Sequence, residues 1–138
     1  MKKFDSIIGI DPGVNTGIAI WNVKNKKFEG VYSCSILEAM RNIEVYAIFG
    51  NNQFVIENPN LRKWYGKNSN AKLQGAGSIK RDFSIWVEWF KYHEVNYREL
   101  NPKNIRTKLD AIQFKKITGW EAKTNEHSRD AGIMVYGI

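Results

Sequence analysis

The chain has 138 residues, 43% hydrophobic and 25% charged, which fits one globular domain over residues 1–138 and excludes two independent cores. No apolar run reaches the roughly 20 residues of a membrane helix, and Asp5, Gly9 and Asp11 interrupt any signal-like segment, so we expect a cytoplasmic protein without membrane contact. The single Cys34 excludes an internal disulfide. A net charge of +7 favours a polyanionic partner.

The first half of the chain predicts three strands, a helix and a fourth strand. Apolar, β-branched runs end at turn signals, and two of these runs end in an acid, Asp11 and Glu57. The second and third runs are linked to the first by short turns, as in antiparallel hairpins. The strands are predicted at residues 6–10, 18–23, 28–34 and 53–57, and the helix follows an N-cap at Ser35 and continues to residue 49.

The second half predicts a loop, three helices and a fifth strand. Residues 60–75 carry little apolar periodicity and are predicted to be a long loop. Residues 76–92 repeat apolar side chains at steps of three and four, which is typical of an amphipathic helix. This order of elements predicts an α/β fold with a central mixed five-stranded sheet flanked by helices on both faces. The remaining elements are a strand at 95–100, a helix at 110–118 closed by Gly119, and a last helix from 126 to the C-terminus, capped by Asn125.

Acidic residues at two strand ends and on the last helix form a candidate metal site. A hairpin and a crossover helix join the strands that end at Asp11 and Glu57, so these strands can be parallel neighbours with both carboxylates at one sheet edge. Carboxylates crowded in this way resist joint ionisation and favour a bound Mg²⁺ or Mn²⁺. Asp130 lies one helical turn from both His127 and Glu126, and either pair could point at the metal. Alternatively, Asp11 is a turn residue and His127 and Asp130 form a surface pair.

Three segments resemble a known family. Residues 7–13 and 15–17 closely resemble the opening motif of RuvC-type Holliday junction resolvases, which belong to the ribonuclease H-like superfamily. Residues 55–57 resemble the second acidic strand of that family, and residues 127–131 resemble its terminal helix motif. The stretch before the last motif is short, as in phage-type members. The resemblance therefore implies a ribonuclease H-like fold.

The resemblance also implies an activity. It indicates a metal-dependent endonuclease that resolves Holliday junctions, or other branched DNA, by two-metal phosphodiester hydrolysis. Asp11, Glu57 and Asp130 would hold Mg²⁺, for which Mn²⁺ would substitute, and His127 would either ligate a metal or hydrogen-bond the attacking water. The alternatives are a related nuclease for flap or single-stranded DNA and a nucleic-acid-binding module that has lost its chemistry. A sugar-kinase-like nucleotide binder would need a second domain.

The segment from 58 to 81 predicts a DNA-binding surface. It contains six basic residues and no acidic one, which suits contact with phosphates. Aromatic side chains within it could stack on unpaired bases at a junction, or anchor the loop on its own core. Gly13 and Gly17 would let the first hairpin approach a scissile phosphate, or are ordinary turn glycines. The predicted nucleic-acid-binding residues are Arg62, Lys63, Trp64, Tyr65, Lys67, Lys72, Lys80 and Arg81.

The helix at 76–92 predicts a homodimer. Its aromatic side chains exceed what one core contact requires, and members of the resembled family dimerise through the corresponding helix. Symmetric cuts in two strands of a four-way junction also need two equivalent sites. We expect Trp89, beside the stripe that contains Phe83 and Trp86, to reach the partner. The alternative is that all of these aromatic residues are core.

Overall fold

A computed structural model describes residues 3–61, 69–101 and 108–138, with side chains described at 3–60, 77–101 and 108–138. The described elements follow the predicted order of strands and helices. Across these ranges, no helix has the length and apolar character needed to cross a membrane. The strands are β1 (Ser6–Asp11), β2 (Thr16–Asn22), β3 (Lys27–Cys34), β4 (Asn52–Glu57) and β5 (Asn96–Leu100), and the helices are α1 (Ile36–Ile48), α2 (Ser69–His93), α3 (Ala111–Thr118) and α4 (Glu126–Val135).

The five strands form one mixed sheet in the order β3-β2-β1-β4-β5. β2 is antiparallel to both β1 and β3, whereas β4 is parallel to both β1 and β5. Ile10 in β1 lies opposite Ile56 in β4. The carboxyl ends of β1 and β4 therefore meet at one edge of the sheet, which confirms the predicted topology.

Helices cover both faces of the sheet, as predicted, and each face has its own hydrophobic core. Because side chains alternate along a strand, Ile8 and Ile10 of β1 enter the core under α1 and α2, which we call the first core. Ile7 enters the second core, under α3 and α4. The largest buried side chains are Phe54, Trp86 and Phe90 in the first core, and Trp21, Phe28 and Phe114 in the second.

Two strand glycines bring α4 unusually close to the sheet. A Cβ on Gly9 would lie 2.5 Å from the carbonyl oxygen of Ala131, and a Cβ on Gly17 would lie closer still to that of His127. No side chain fits at either position, so α4 rests with its backbone directly on β1 and β2. Gly17 thus serves helix packing, a role that the sequence analysis did not predict, and its proposed approach to a phosphate stays a prediction. Gly13 is not crowded, with its nearest neighbouring atom at 3.6 Å.

Side-chain caps begin the helices where the sequence predicts. Ser35 accepts a hydrogen bond from the backbone nitrogen of Glu38 at 3.2 Å and starts α1. Reciprocal capping boxes start α3 at Asp110 and α4 at Asn125. Gly119 ends α3 with a left-handed φ of 76°, which glycine adopts readily. These local signals fix the limits of the helices around the candidate site.

α2 is longer than the sequence predicts. It begins at Ser69, so the predicted loop over 60–75 is wrong from residue 69 onward, and a short 3-10 helix occupies Pro59–Leu61. The first turns of α2 contain few apolar residues and therefore no amphipathic period, although Ala, Lys, Leu and Gln are good helix formers. Ile79 is also 41% exposed, so the first buried apolar side chain of α2 among the described side chains is Phe83.

Trp89 belongs to the first core. It is half-buried and packs edge-on against Phe54 and Trp86, with ring centroids 5.6 Å and 5.5 Å away. These contacts favour the alternative that Trp89 is a core residue, and its contact with a partner subunit stays a prediction. The excess of aromatic residues in α2 is used to fill the wide space between this helix and the sheet.

Candidate active site

Two carboxylates end neighbouring parallel strands. Asp11 directly follows Ile10, and Glu57 directly follows Ile56, which is the pair in register between β1 and β4. Ile10 and Ile56 point into the first core, so the alternation of side chains places Asp11 and Glu57 on the opposite face. That face carries α4. The carboxyl ends of these strands thus open toward the start of the last helix.

The first turn of α4 approaches Asp11 from across the sheet. Asn125 caps the helix and also donates from its side-chain nitrogen to the hydroxyl of Ser33, at the end of β3. The close contact at Gly17 then places His127 beside β1, because Gly17 pairs with Asp11 across the hairpin. His127 Nδ1 and Asp11 Oδ2 share a hydrogen bond of 3.2 Å. The first strand and the last helix are therefore joined at the site.

The carboxylates of the site oppose one another's ionisation. The side chain of Asp11 is only 15% exposed. Burial raises the pKa of Asp11 to about 7, the hydrogen bond with His127 counteracts this, and the charges of Asp130 and Glu57 raise it further. Burial also raises the pKa of Asp130, against the nearby charge of Lys108. The site therefore stabilises a positive charge placed among these oxygens.

Lys108 is a basic member of the site that the sequence analysis missed. Its Nζ lies 2.6 Å from Oε1 of Glu126 and 3.6 Å from Oδ2 of Asp130. The hydrogen bond to Glu126 raises the pKa of Lys108 and lowers that of Glu126. Of the two pairs proposed on α4, His127 thus contacts Asp11, whereas Glu126 contacts Lys108. No local sequence pattern links Lys108 to α4, since the contact spans 18 residues.

Arg129 holds the segment that carries Lys108. Its Nε donates to the carbonyl oxygen of Leu109 at 2.9 Å, and its Nη1 donates to the hydroxyl of Thr124 at 3.1 Å. The guanidinium therefore ties the segment before α3 onto the start of α4. Arg129 acts as a positioning residue for Lys108, a role that its place in the helix motif did not predict.

The donor set fits a divalent cation in its chemistry. Asp11, Glu57 and Asp130 supply the carboxylate oxygens that Mg²⁺ and Mn²⁺ prefer, and burial together with the charges of Asp130 and Glu57 raises the pKa of Asp11. Among the residues that the structure describes, no three His, Cys, Asp or Glu side chains form a group that could hold a metal ion as they stand. Asp11 instead contacts His127, and Asp130 contacts Lys108.

Most of the predicted DNA-binding residues lie outside the described part of the chain. The exposed side chain of Arg81 donates to the hydroxyl of Ser78 and lies 3.6 Å from Asp82, so a neighbouring acid partly offsets its charge. Lys80 is also exposed, one residue away. Lys72 lies in α2 but its side chain is outside the described residues. Arg62, Lys63, Trp64, Tyr65 and Lys67 fall entirely outside them.

Comparison with known proteins identifies the fold. The chain matches no protein-family model and no curated protein. Among solved structures, it is similar to RuvC of T. thermophilus in complex with its Holliday junction substrate, with a TM-score of 0.58 and 16% sequence identity. The similarity covers 93% of this chain and 88% of that one. The chain therefore has the RuvC-like, ribonuclease H-like fold that the sequence motifs predicted.

Proposed function

We propose that this protein is a metal-dependent endonuclease that cuts branched DNA, with four-way junctions as its first substrate. The observation that carries the proposal is the buried carboxylate of Asp11, which lies at the end of a parallel strand under repulsion from Glu57 and Asp130. Such perturbed carboxylates are typical of functional sites. The RuvC-like fold supports the same class of reaction, since the similar structure contains a Holliday junction.

Each site residue has a proposed role. Asp11, Glu57 and Asp130 would hold divalent cations, and Mg²⁺ or Mn²⁺ bound there would activate a water and stabilise the leaving 3′-oxygen. His127 orients Asp11 through their hydrogen bond, and it would either ligate a metal or hydrogen-bond the attacking water. Lys108 offsets the charge of Asp130 when no other cation does so.

The proposed DNA surface is the basic stretch from 58 to 81. In a protein of net charge +7, such a stretch would bind junction arms through phosphates, largely independently of sequence. Reversing the charges of Arg62, Lys63 and Lys72 should weaken junction binding and flatten its dependence on salt. The reason is that each phosphate contact that is lost no longer releases counterions from the DNA. An unchanged salt dependence would place the DNA elsewhere on the protein.

We further propose that the protein forms a homodimer and that it is a phage-type member of the RuvC-type resolvases. Two equivalent sites related by a two-fold axis suit paired cuts in a four-way junction. The phage-type proposal rests on the short connection between α3 and α4, which consists of residues 119–125.

A second candidate function is junction binding without cleavage. Asp11 and Asp130 are each engaged by a basic side chain, His127 and Lys108, and the described residues contain no ready group of three metal ligands. A protein that binds branched DNA and has lost its chemistry could keep such an arrangement. The two candidates differ in one observable, which is cleavage in the presence of Mg²⁺ or Mn²⁺.

Cleavage assays on four-way, three-way, flap and linear DNA test the proposal. We expect Mg²⁺-dependent cuts in the four-way junction, which Asp11→Asn, Glu57→Gln and Asp130→Asn each abolish while junction binding survives. The matched control is Glu88→Gln, an exposed acid on α2 that should cut at the wild-type rate. Replacing His127 by Ala should slow turnover without abolishing it.

Three results would change the assignment. Preferred cleavage of flap or single-stranded DNA would support the proposed nuclease activity but change its proposed substrate. Tight junction binding without cleavage in Mg²⁺ or Mn²⁺ would favour the binding module. A variant at Asp11, Glu57 or Asp130 that cuts at the wild-type rate would remove that residue from the site.

A further inference from the structure

A shallow apolar pocket lies between the end of α3 and the second half of α4, on the outer side of the second core. It contains about 240 Å³ of space, including its open mouth, which is room for one large apolar side chain. This volume is too small for most whole small-molecule ligands. The pocket is lined by Leu109, Ile117, Thr118, Ile133 and Tyr136.

Two hydrogen bonds hold the walls of this pocket in place. The hydroxyl of Tyr136, directly after α4, donates to the carbonyl oxygen of Ile117 in the last turn of α3 at 2.9 Å. On the other side, Arg129 of α4 donates to the carbonyl oxygen of Leu109 at 2.9 Å. Because the chain itself fixes the pocket, a ligand that binds there does not have to order its walls.

Apolar side chains at the rim of the pocket are exposed to solvent. Ile117 is 47% exposed, and Ile112, five residues earlier on α3, is 80% exposed. The helix turns Phe114 into the second core, and Lys116 lies between Ile112 and Ile117 around the outward side. The rim therefore alternates apolar and basic side chains. Exposed apolar area next to a pocket is typical of an interaction surface.

The charge beside the pocket is positive. Between residues 108 and 123 the chain carries four basic residues and two acidic ones. Lys115 and Lys116 are both exposed and directly precede Ile117. One of the two acids, Asp110, caps α3 by accepting a hydrogen bond from the backbone nitrogen of Gln113 at 2.8 Å. A carboxylate brought to the last turn of α3 would therefore be attracted by the two lysines.

We propose that this pocket binds a short acidic segment of a partner protein, with one bulky apolar side chain of that segment inserted between α3 and α4. Carboxylates beside the inserted side chain would pair with Lys115 and Lys116, and Ile112 would extend the apolar contact. A DNA backbone would also attract the lysines, but it presents phosphates rather than an apolar group to Ile117 and Ile133. The apolar lining therefore favours a peptide.

A fluorescent peptide of four aspartates followed by leucine and phenylalanine tests the proposal. Anisotropy titration without DNA or metal should give a dissociation constant of about 10–100 µM, because one inserted side chain buries little area. Binding should weaken as the salt concentration rises. A peptide with serine in place of leucine and phenylalanine, or with lysine in place of the aspartates, should not bind.

Two substitutions separate the apolar and the charged parts of the surface. Ile117→Ser removes apolar area from the pocket, and Lys116→Glu reverses a charge at its rim. Each should raise the dissociation constant of the peptide about fivefold or more. The matched controls are Ile48→Ser on α1 and Lys91→Glu on α2, which make the same changes at exposed positions over the other face of the sheet and should leave binding unchanged. Urea denaturation checks that each variant is folded.

The proposal is overturned if the wild type does not bind the peptide, or if Ile117→Ser and Lys116→Glu bind it as tightly as the wild type. It is also overturned if only Lys116→Glu weakens binding and duplex DNA displaces the peptide, because the surface would then be a contact for phosphates. A protein that binds the peptide but cuts no DNA would contradict the proposed nuclease alone. A nuclease that does not bind the peptide would contradict this proposal alone.

Discussion

The two faces of the sheet hold their helices by different means. On the first core, α1 and α2 stand off from the strands, and large side chains such as Trp86, Trp89 and Phe90 fill the space. On the second core, α4 touches the strands with its own backbone, at Gly9 and Gly17. The candidate site lies on the side of direct backbone contact.

A helix that rests on a strand through backbone atoms has little freedom to shift. A layer of side chains can adapt by changing rotamers, whereas a carbonyl oxygen against a glycine cannot move without moving the helix. His127 supplies one of these carbonyl oxygens, and its side chain contacts Asp11. The close contact therefore limits how far His127 can shift relative to Asp11.

The largest effect should come from adding one methyl group at the close contact. In Gly17→Ala, the Cβ would overlap the carbonyl oxygen of His127, so α4 must shift or detach. We expect a loss of about 3 kcal/mol or more in the free energy of unfolding, measured by urea denaturation. The matched control is Gly30→Ala in β3, where the nearest atom is 3.5 Å away and the cost should be small.

A substitution in the first core should reduce the free energy of unfolding by less than Gly17→Ala does. Ile43→Val in α1 removes one methylene from the first core and should cost about 1 kcal/mol, because neighbouring side chains can partly close the gap. Equal losses in Gly17→Ala and Ile43→Val would contradict the distinction between a rigid and an adaptable face.

The second effect concerns pH. The pKa of Asp11 is about 7 in the folded protein and near its ordinary value of 3.8 when unfolded, so the fold binds this proton more tightly. The stability that this proton contributes is present below pH 4 and is lost as the pH rises to about 7. Asp11→Asn does not titrate, so it should become more stable than the wild type by about 1–4 kcal/mol at pH 8.

Urea denaturation of both proteins in EDTA at pH 4 and pH 8 measures this difference. It should vanish at pH 4, and at pH 8 added Mg²⁺ should stabilise the wild type but not Asp11→Asn. A wild type that is insensitive to Mg²⁺ would count against the proposed metal site. A difference that is independent of pH would mean that Asp11 ionises freely in the folded protein.

The smallest effect should come from Lys108. Its side chain is 69% exposed, and exposed ion pairs contribute less than about 1 kcal/mol, so Lys108→Met should barely change the free energy of unfolding. It should nevertheless strengthen Mg²⁺ binding severalfold, because Lys108 competes for the charge of Asp130. Calorimetric titration measures the affinity, and Lys115→Met on α3 is the control. Unchanged or weaker Mg²⁺ binding would show that Lys108 does not compete.

Local signals made much of the fold predictable. Acids at the ends of apolar runs, the caps at Ser35 and Asn125 and the turn at Gly119 each depend on a few neighbouring residues, and the structure confirms the elements they delimit. The parallel pairing of β1 with β4 also followed from the order of elements, because a crossover helix links them. The sequence analysis placed Asp11 and Glu57 at one edge of the sheet with His127 pointing toward them. It did not predict the hydrogen bond between Asp11 and His127.

The remaining features depend on contacts between distant residues. Lys108 reaches Glu126 through a tertiary contact that no periodic pattern encodes. The role of Gly17 depends on the carbonyl oxygen of a helix at the other end of the chain. The packing of Trp89 against Phe54 was not predicted, because the sequence reveals how many aromatic residues a helix carries, but not which of them contact the sheet.

The contact between Asp11 and His127 spans 116 residues, which has a consequence for the order of assembly. The five described strands and the helices α1, α2 and α3 precede α4 along the chain, so a ribosome has made the whole sheet before it makes the helix that completes the site. Contacts of such long range form late in folding. A nascent chain therefore carries Asp11 and Glu57 without their partners on α4, and any chemistry that needs Asp130 is withheld until synthesis has passed it.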